Sequence, residues 1–355
     1  MTDTGIGRGY IGTMTALPRF DDESYLDFVE GLRKFAVRTL TPASAAALRG
    51  RVAGGGDAVD TAELAQVRAA GDTIPVVSLR NRVLRSTQGM NWQRVQAAYH
   101  THRTRLLAEL DAYAGRGPAT LQLDEQFEYP RYYDAVDFHR QPGSYHRDAL
   151  AGYIYHYGTK IFHLGSNDKD ESKIANANNV VPPADGKVDR VLDVGCAIGG
   201  CTVAFKDRWP DAEVIGVDLS APLLRYAHMR AVRLGAPVHF RQALAERLPF
   251  PDGHFDIVYM STVLHEMPVA DGRRAVAEAR RVLRPGGVLE LRDMPQAAQP
   301  PEPWADYDRD FDTRFNTEPF SYAFIHSDLG SYLEATFEAV SATTSPALTV
   351  WRCLA

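Results

Sequence analysis

The sequence predicts an α/β fold in which a mainly helical N-terminal module precedes a parallel sheet. Three observations carry this reading. Short apolar runs alternate with amphipathic stretches from Arg190 onward, as in consecutive βαβ units. A strand-like run, Val191-Leu192-Asp193-Val194, passes directly into a glycine-rich turn at Gly195. Before residue 115 the apolar positions recur at helical spacing instead.

The N-terminal module, residues 1–120, opens on a Gly- and Thr-rich stretch expected to be mobile over 1–20. A helix is expected from Asp22, with Tyr25, Phe28, Val29, Leu32 and Phe35 on one face. Gly54-Gly55-Gly56 breaks the Ala-rich stretch that follows, and a second helix is expected over 61–70. Trp92 to Ala114 reads as a third, stopped at Gly115-Arg116-Gly117-Pro118. Residues 121–187 read as a Tyr-rich connector with a helix near 148–163 and a polar surface loop over 166–187. The third unit, 188–355, has expected strands at 190–195, 213–218, 237–241, 255–260 and 287–293. Helices are expected at 199–209, 221–235 and 270–283, and two further strands at 337–342 and 347–352.

Composition sets bounds. The chain has 355 residues, 45% hydrophobic and 24% charged, with a formal net charge of −6. That balance argues against nucleic acid as a partner, which favours a basic stripe. Three cysteines provide no disulfide framework. Neither a secretory leader nor an apolar window of ~20 residues is apparent. The expectation is a cytoplasmic protein without membrane contact.

The turn after the first strand reads D-x-G-x-A-x-G over Asp193 to Gly199. A dinucleotide turn would read G-x-G-x-x-G. Val214-Ile215-Gly216-Val217-Asp218 is a second strand ending in an acid, suited to accept the ribose hydroxyls of a nucleoside. Leu248-Pro249-Phe250-Pro251-Asp252, Phe255-Asp256-Ile257-Val258-Tyr259 and Leu283-Arg284-Pro285-Gly286-Gly287 follow in order.

This series resembles the class I S-adenosylmethionine-dependent methyltransferases of small-molecule type, over roughly 188–293. The resemblance implies a Rossmann-like seven-stranded sheet with one antiparallel strand near the C-terminus, and S-adenosylmethionine as cofactor. It implies that Asp193, Gly195 and Gly199, with Cys196 and Ala197 between them, cradle the methionine portion. Asp218 would bind the ribose and Leu219 would pack on the adenine. Ala245 and Glu246 fall at the adenine edge, and Ser261 at the end of the next strand. Ala197 replaces a glycine of the family turn, which is tolerable if its φ stays negative. Leu244 replaces the acid often found there, leaving Gln242 or backbone to meet the adenine amine.

The segment Ser261 to Pro268 resembles the His-Glu segment of many small-molecule methyltransferases. His265 is the candidate general base, with Glu266 its partner or alternative. His265 could instead only order the loop. Tyr153, Tyr157, Tyr307 and Phe324 are candidate walls of an acceptor pocket, the alternative being that these aromatics join the two modules. His139, His146, His156 and His163 lack metal-ligand spacing, so no metal is expected. Arg80, Arg82 and Arg85 read as a solvated helix face, or less simply as an anion contact.

The expected activity is methyl transfer to an O, N or C atom of a small organic acceptor in specialised metabolism. The alternatives are a protein or nucleic-acid methyltransferase, or a methyltransferase-fold binding protein without activity. Tyr25, Phe28, Phe35, Trp92 and Tyr99 exceed what three short helices bury among themselves. The surface they need can be the sheet-containing half, a second subunit or both; a homodimer is expected, with residues 20–115 at its interface and over the active site, the alternative being a helical cap within a monomer.

Overall fold

The computed structural model describes residues 14–54, 64–298 and 302–355. The Gly- and Thr-rich start up to residue 13, Gly55-Gly56 and the expected helix start at 61–63 lie outside the described residues.

One sheet organises the molecule. Its strands are β1 (Thr120–Gln122), β2 (Arg190–Val194), β3 (Glu213–Asp218), β4 (His239–Gln242), β5 (Phe255–Ser261), β6 (Leu283–Asp293), β7 (Ala339–Thr344) and β8 (Thr349–Leu354). Their spatial order is β1-β4-β3-β2-β5-β6-β8-β7. Only β8 runs against the rest, pairing antiparallel with β6 and with β7. The sheet is thus Rossmann-like as expected, but among the described residues it has eight strands rather than seven. The extra one is β1, which adds parallel to the edge of β4 through Thr120 and Val238. Three residues at the proposed boundary of two units were too short a run to show a strand period.

The central strands β2, β3, β5 and β6 are buried on both faces, and β2 shows why they read as continuous apolar runs. Leu192 and Val194 point into one core with Ile215, Val217, Val258 and Met260. Val191 points into the other with Val214, Ile257 and Phe205. Chain order moves outward from β2 through β3 to β4, then returns to the opposite side of β2 with β5. The crevice between the carboxyl ends of β2 and β5 is therefore the topological switch point, where open α/β sheets bind ligands.

The helices before the sheet are longer than expected. Phe20–Phe35 continues through a π turn, Ala36–Leu40, into Thr41–Gly54. Pro42 lacks the N–H that would continue the α ladder there. Leu64–Asp72 is followed by the long helix Pro75–His100 and by Arg103–Tyr113. Trp92 and Tyr99, expected to need a partner surface beyond the three helices, find it within the chain against Gly158 and Tyr153, whereas Phe20, Phe28 and Phe35 are exposed. The expected helix at 148–163 breaks into Ala151–Gly158 and Lys160–His163. The expected surface loop 166–187 contains a helix, Glu171–Asn179, tied to the sheet layer by Arg208 and the Ala177 carbonyl.

After β6 the chain leaves the sheet for the helix Pro303–Phe315. Its Trp304 and Tyr307 pack with Leu48, Val67 and Val77, and its Phe311 packs with Leu40 and Leu84. This segment, assigned from sequence to the C-terminal unit, packs with the N-terminal helices. Among the described residues no helix is long and apolar enough to cross a membrane.

Close approach joins the two modules. A Cβ on Gly158 would lie 2.0 Å from the Trp92 ring, and the Gly158 carbonyl accepts from Asn91 Nδ2 at 3.0 Å. Gly158→Ala should therefore cost about 1–3 kcal/mol by overpacking, read as a lowered melting temperature. Gly50→Ala, on a helix where a Cβ meets nothing within 4 Å, should not lower it.

Candidate functional site

The glycine-rich turn is held by backbone geometry. Gly195 and Cys196 both donate to the Val217 carbonyl, at 2.8 and 3.0 Å. Gly195 has φ +73°, and a Cβ there would lie 2.3 Å from Val263. Gly199, also at φ +73°, opens the helix Gly200–Arg208, and its Cβ would lie 2.6 Å from the Phe240 ring. These two positions admit no side chain. Ala197 departs from expectation: its φ is +48°, not negative. Its N–H donates to Asp218 Oδ2 at 2.9 Å, so the turn closes at the expense of a left-handed alanine. Across the crevice Thr262, β-branched, has φ +57°. Backbone strain thus lies on both sides of the switch point, where functional sites concentrate it.

Two carboxylates end adjacent strands. Asp193 Oδ2 accepts from Thr202 Oγ1 at 2.6 Å. Asp218 Oδ1 accepts from the Ser220 N–H at 2.8 Å. Burial pushes each up to about 6. Neither has a salt-bridged cation among the described residues. Two desolvated carboxylates at one crevice suit a ligand that brings hydroxyl donors and positive charge. The nucleoside hydroxyls, sulfonium and ammonium of S-adenosylmethionine meet that requirement.

Around this crevice the connector supplies a wall. Ala197, Ile198, Leu219 and Leu223 share one cluster with Tyr129, Tyr133, Tyr145 and Tyr155. Ser220 Oγ caps the helix Ala221–Leu234 through Leu223 N and donates to the Tyr145 carbonyl at 2.5 Å. Glu246 accepts from the Tyr132 hydroxyl at 3.0 Å, and Ala245 is buried beside it. Gln242 is committed elsewhere: its Nε2 donates to the Leu219 carbonyl at 2.9 Å and its Oε1 accepts from the Asp124 N–H at 3.2 Å. It ties the connector to the sheet and is ill placed to meet an adenine amine.

His265 is buried in a short turn after β5, close to Ser261 at the strand's end. Its Nδ1 meets Asp293 Oδ1, at the end of β6, at 2.6 Å. The other oxygen of Asp293 accepts from the Leu264 N–H at 2.9 Å. Burial lowers the imidazole, but the Asp293 charge outweighs it and the balance is upward. Among the described residues Nε2 makes no hydrogen bond. The partner of His265 is thus Asp293 and not Glu266.

Glu266 serves another histidine. Its Oε1 lies 3.0 Å from His139 Nε2, and Glu318 Oε1 lies 3.0 Å from His139 Nδ1. Burial pulls His139 down, but the two glutamates lift it to about 10. It is an imidazolium clamp between the turn after β5 and the segment after Phe315. The long helix holds this clamp: Trp92 Nε1 and Gln88 Nε2 both donate to the His139 carbonyl, at 2.7 and 2.6 Å.

The expected acceptor walls separate. Phe324 sits 6.3 Å from the His265 ring, centroid to centroid. Tyr153 faces away, its hydroxyl bonded to Glu109 at 2.9 Å, and Tyr157 packs against Tyr99. Tyr307 lies among the N-terminal helices, donating to Asp72 Oδ1 at 2.7 Å. On the helix Ala151–Gly158 it is Tyr155, on the opposite face from Tyr153 and Tyr157, that packs on Tyr145 and feels the Glu266 charge. Sequence reasoning chose the face that joins the modules. It also missed Asp293, although an acid ending a strand was the very signal used for Asp193 and Asp218. For His139 and Glu318, far apart in sequence, no local signal existed. Among the described residues no group of His, Cys, Asp and Glu could hold a metal ion.

The Asp218 geometry sets a pH dependence for cofactor affinity. A carboxyl raised to about 6 is ionised only above that pH, and its charged form accepts hydroxyls best. Affinity for S-adenosylmethionine should fall as pH drops through 6. Asp218→Asn should weaken binding about 10- to 100-fold at pH 8 and flatten this step. Calorimetric titration between pH 5 and pH 8 checks both, and an unchanged affinity in the folded variant would remove Asp218 from the site.

Comparison with known proteins agrees with this geometry. Residues 191–287 match the model of a family described as methyltransferase domain. A demethylmenaquinone methyltransferase of Thermus thermophilus is 40% identical over 106 residues, 30% of this chain and 47% of the relative. A 27-O-demethylrifamycin SV methyltransferase of Amycolatopsis mediterranei is 37% identical over 34% of this chain and 44% of its own length. An O-methyltransferase family protein from Burkholderia thailandensis aligns in structure over 78% of this chain and 71% of its own, with 16% identity and a TM-score of 0.49. The chain spans less than half the length of either curated relative. The matched segment, residues 191–287, has the likeness of a methyltransferase domain and contains the turn, both strand-end acids and His265.

Proposed function

We propose that this protein methylates an O, N or C atom of a small organic acceptor, in specialised metabolism, using S-adenosylmethionine. The single observation that carries the reading is the Asp293–His265 dyad beside the switch point, with His265 Nε2 uncommitted. Bound cofactor supplies an electrophilic methyl group on a sulfonium. The chain's part is to orient the acceptor and receive its proton. Asp293 accepts from Nδ1–H and so keeps Nε2 as the basic nitrogen. Nε2 takes the proton of the attacking hydroxyl or amine, and Asp293 stabilises the imidazolium. The connector tyrosines and Phe324 exclude water around the acceptor. Both curated relatives described above are named for small-molecule methylation, which supports the acceptor class.

The test is transfer of labelled methyl to panels of quinols, phenols and amines, with histone and tRNA as the competing acceptor classes. His265→Ala should lower kcat by about 100-fold or more while cofactor affinity stays near normal. In the wild type kcat should rise with pH and level off above the ordinary imidazole range, because His265 must be neutral to act. Asp293→Asn should shift that step to lower pH. Near-normal turnover in His265→Ala would leave the histidine a wall residue.

The reading includes a homodimer. Phe20, Phe28 and Phe35 on the first helix are 58%, 64% and 48% exposed, and Leu79 is 51% exposed. An apolar face of this kind suits a second copy. The N-terminal helices also reach the site through the His139 clamp, consistent with a cover over the acceptor. Light scattering should give a dimer, and Phe28→Asp with Phe35→Asp should give a monomer. A monomeric wild-type protein would overturn the dimer.

A further inference from the structure

The helix Pro75–His100 has a second face that the methyl-transfer site does not use. Arg82, Arg85 and Gly89 line an open groove of about 690 Å³, bounded opposite by Phe311, Phe315 and Arg140. Three guanidinium groups face this space and no carboxylate lines it. Among the described residues none of the three is in a salt bridge. The expected solvated helix face holds at Arg82 and Arg85, which are exposed at the groove, but not at Arg80, which is buried and paired with Asp308.

The arginines are placed rather than merely near. Arg140 Nη1 donates to the Arg85 carbonyl at 2.8 Å. Gly89 lies beneath it, where a Cβ would stand 3.5 Å from Arg140 Nη2, an ordinary contact. The Arg140 N–H donates to Thr317 Oγ1 at 2.9 Å, and its φ is +61°. Arg85 lies over the Phe315 ring, 5.6 Å from its centroid. Burial and the neighbouring Arg85 both work against the Arg140 charge. On a chain of net charge −6, like charges held together in a groove have an unmet electrostatic demand.

We infer that this groove binds a small organic anion carrying an aromatic ring, at a site separate from the methyl acceptor's. Arginine forks match phosphate or carboxylate oxygens. Phe311 is buried beneath the groove, while the half-buried Phe315, with Arg85 over its ring, offers the apolar surface for a ligand ring. No groove residue stands at the carboxyl end of β2, β3 or β5, so the groove is not part of the cofactor crevice. The inference does not depend on the proposed activity.

The probe is 1-naphthyl phosphate, titrated calorimetrically into the full chain. Binding should exceed that of either 1-naphthol or inorganic phosphate, since each lacks one half of the match. R82Q/R85Q, on exposed side chains, should weaken it about tenfold or more. Phe315→Ala should weaken naphthyl phosphate while leaving inorganic phosphate unchanged. His265→Ala should not alter it, which keeps this site distinct from the methyl-transfer reading. No binding at millimolar probe, or equal affinity in wild type and R82Q/R85Q, would overturn the inference.

Discussion

The hydrogen bond from the Ala197 N–H to the buried Asp218 carboxylate is the constraint on which the crevice depends. It draws the turn after β2 onto the end of β3. With it come the left-handed alanine, the glycine at 195 pressed on Val263, and the helix start at Gly199. The same carboxylate accepts from Ser220 N, and Ser220 in turn caps one helix and holds the connector at Tyr145. One acid therefore sets the floor of the crevice, its far wall and the attachment of the cover. Its burial without a paired cation is tolerable only if its remaining lone pairs meet donors, which is the demand a nucleoside satisfies.

A second constraint reaches the crevice from the other module. His139 stands between Glu266 and Glu318, and its carbonyl is fixed by Trp92 and Gln88. Two negative charges on one imidazolium make a charge-assisted link. It joins the turn that carries His265 to the long helix and to the segment after Phe315. The N-terminal helices, the helix Pro303–Phe315 and the turn after β5 therefore share one polar centre. The helical module is more than a neighbour of the sheet, because a group that positions the turn carrying His265 is held by its side chains.

The centre of the sheet was legible because β2, β3, β5 and β6 are buried on both faces and each ends in a turn with few alternatives. Apolar runs, a glycine-rich turn and strand-end acids are local signals, and β2 to β6 fell within a few residues of expectation. What was not legible is long-range. β1 has three residues, too few to show a period, and exists because β4 offers an edge. The tyrosine helix has aromatic side chains on both faces, so composition could not decide between Tyr153 and Tyr155; only packing against Tyr226 and Tyr145 does. The His139 clamp joins residues distant in sequence. The adenine edge shows the same limit: Gln242 looked available as a donor, but the connector had taken its amide.

The motif residues themselves divide by role. Arg284 donates to Asp256 at 2.6 Å, and Asp256 accepts from the Asp189 and Arg190 N–H groups at 2.7 and 2.8 Å. Arg281 donates to the Leu248 and Phe250 carbonyls at 2.9 and 2.8 Å. These residues of the Phe-Asp, Arg-Pro-Gly and Leu-Pro-Phe segments lace strands and helices together away from the crevice. A match to them reports that the sheet is built correctly, and a chain without activity could retain it. The Asp293–His265 pair is different. Two buried ionisable groups are unnecessary for the sheet, since a hydrophobic pair would stabilise it as well. Asp293, which completes the pair, lies outside the matched segment 191–287. The proposed chemistry needs that pair, whereas the sheet needs only the lacing.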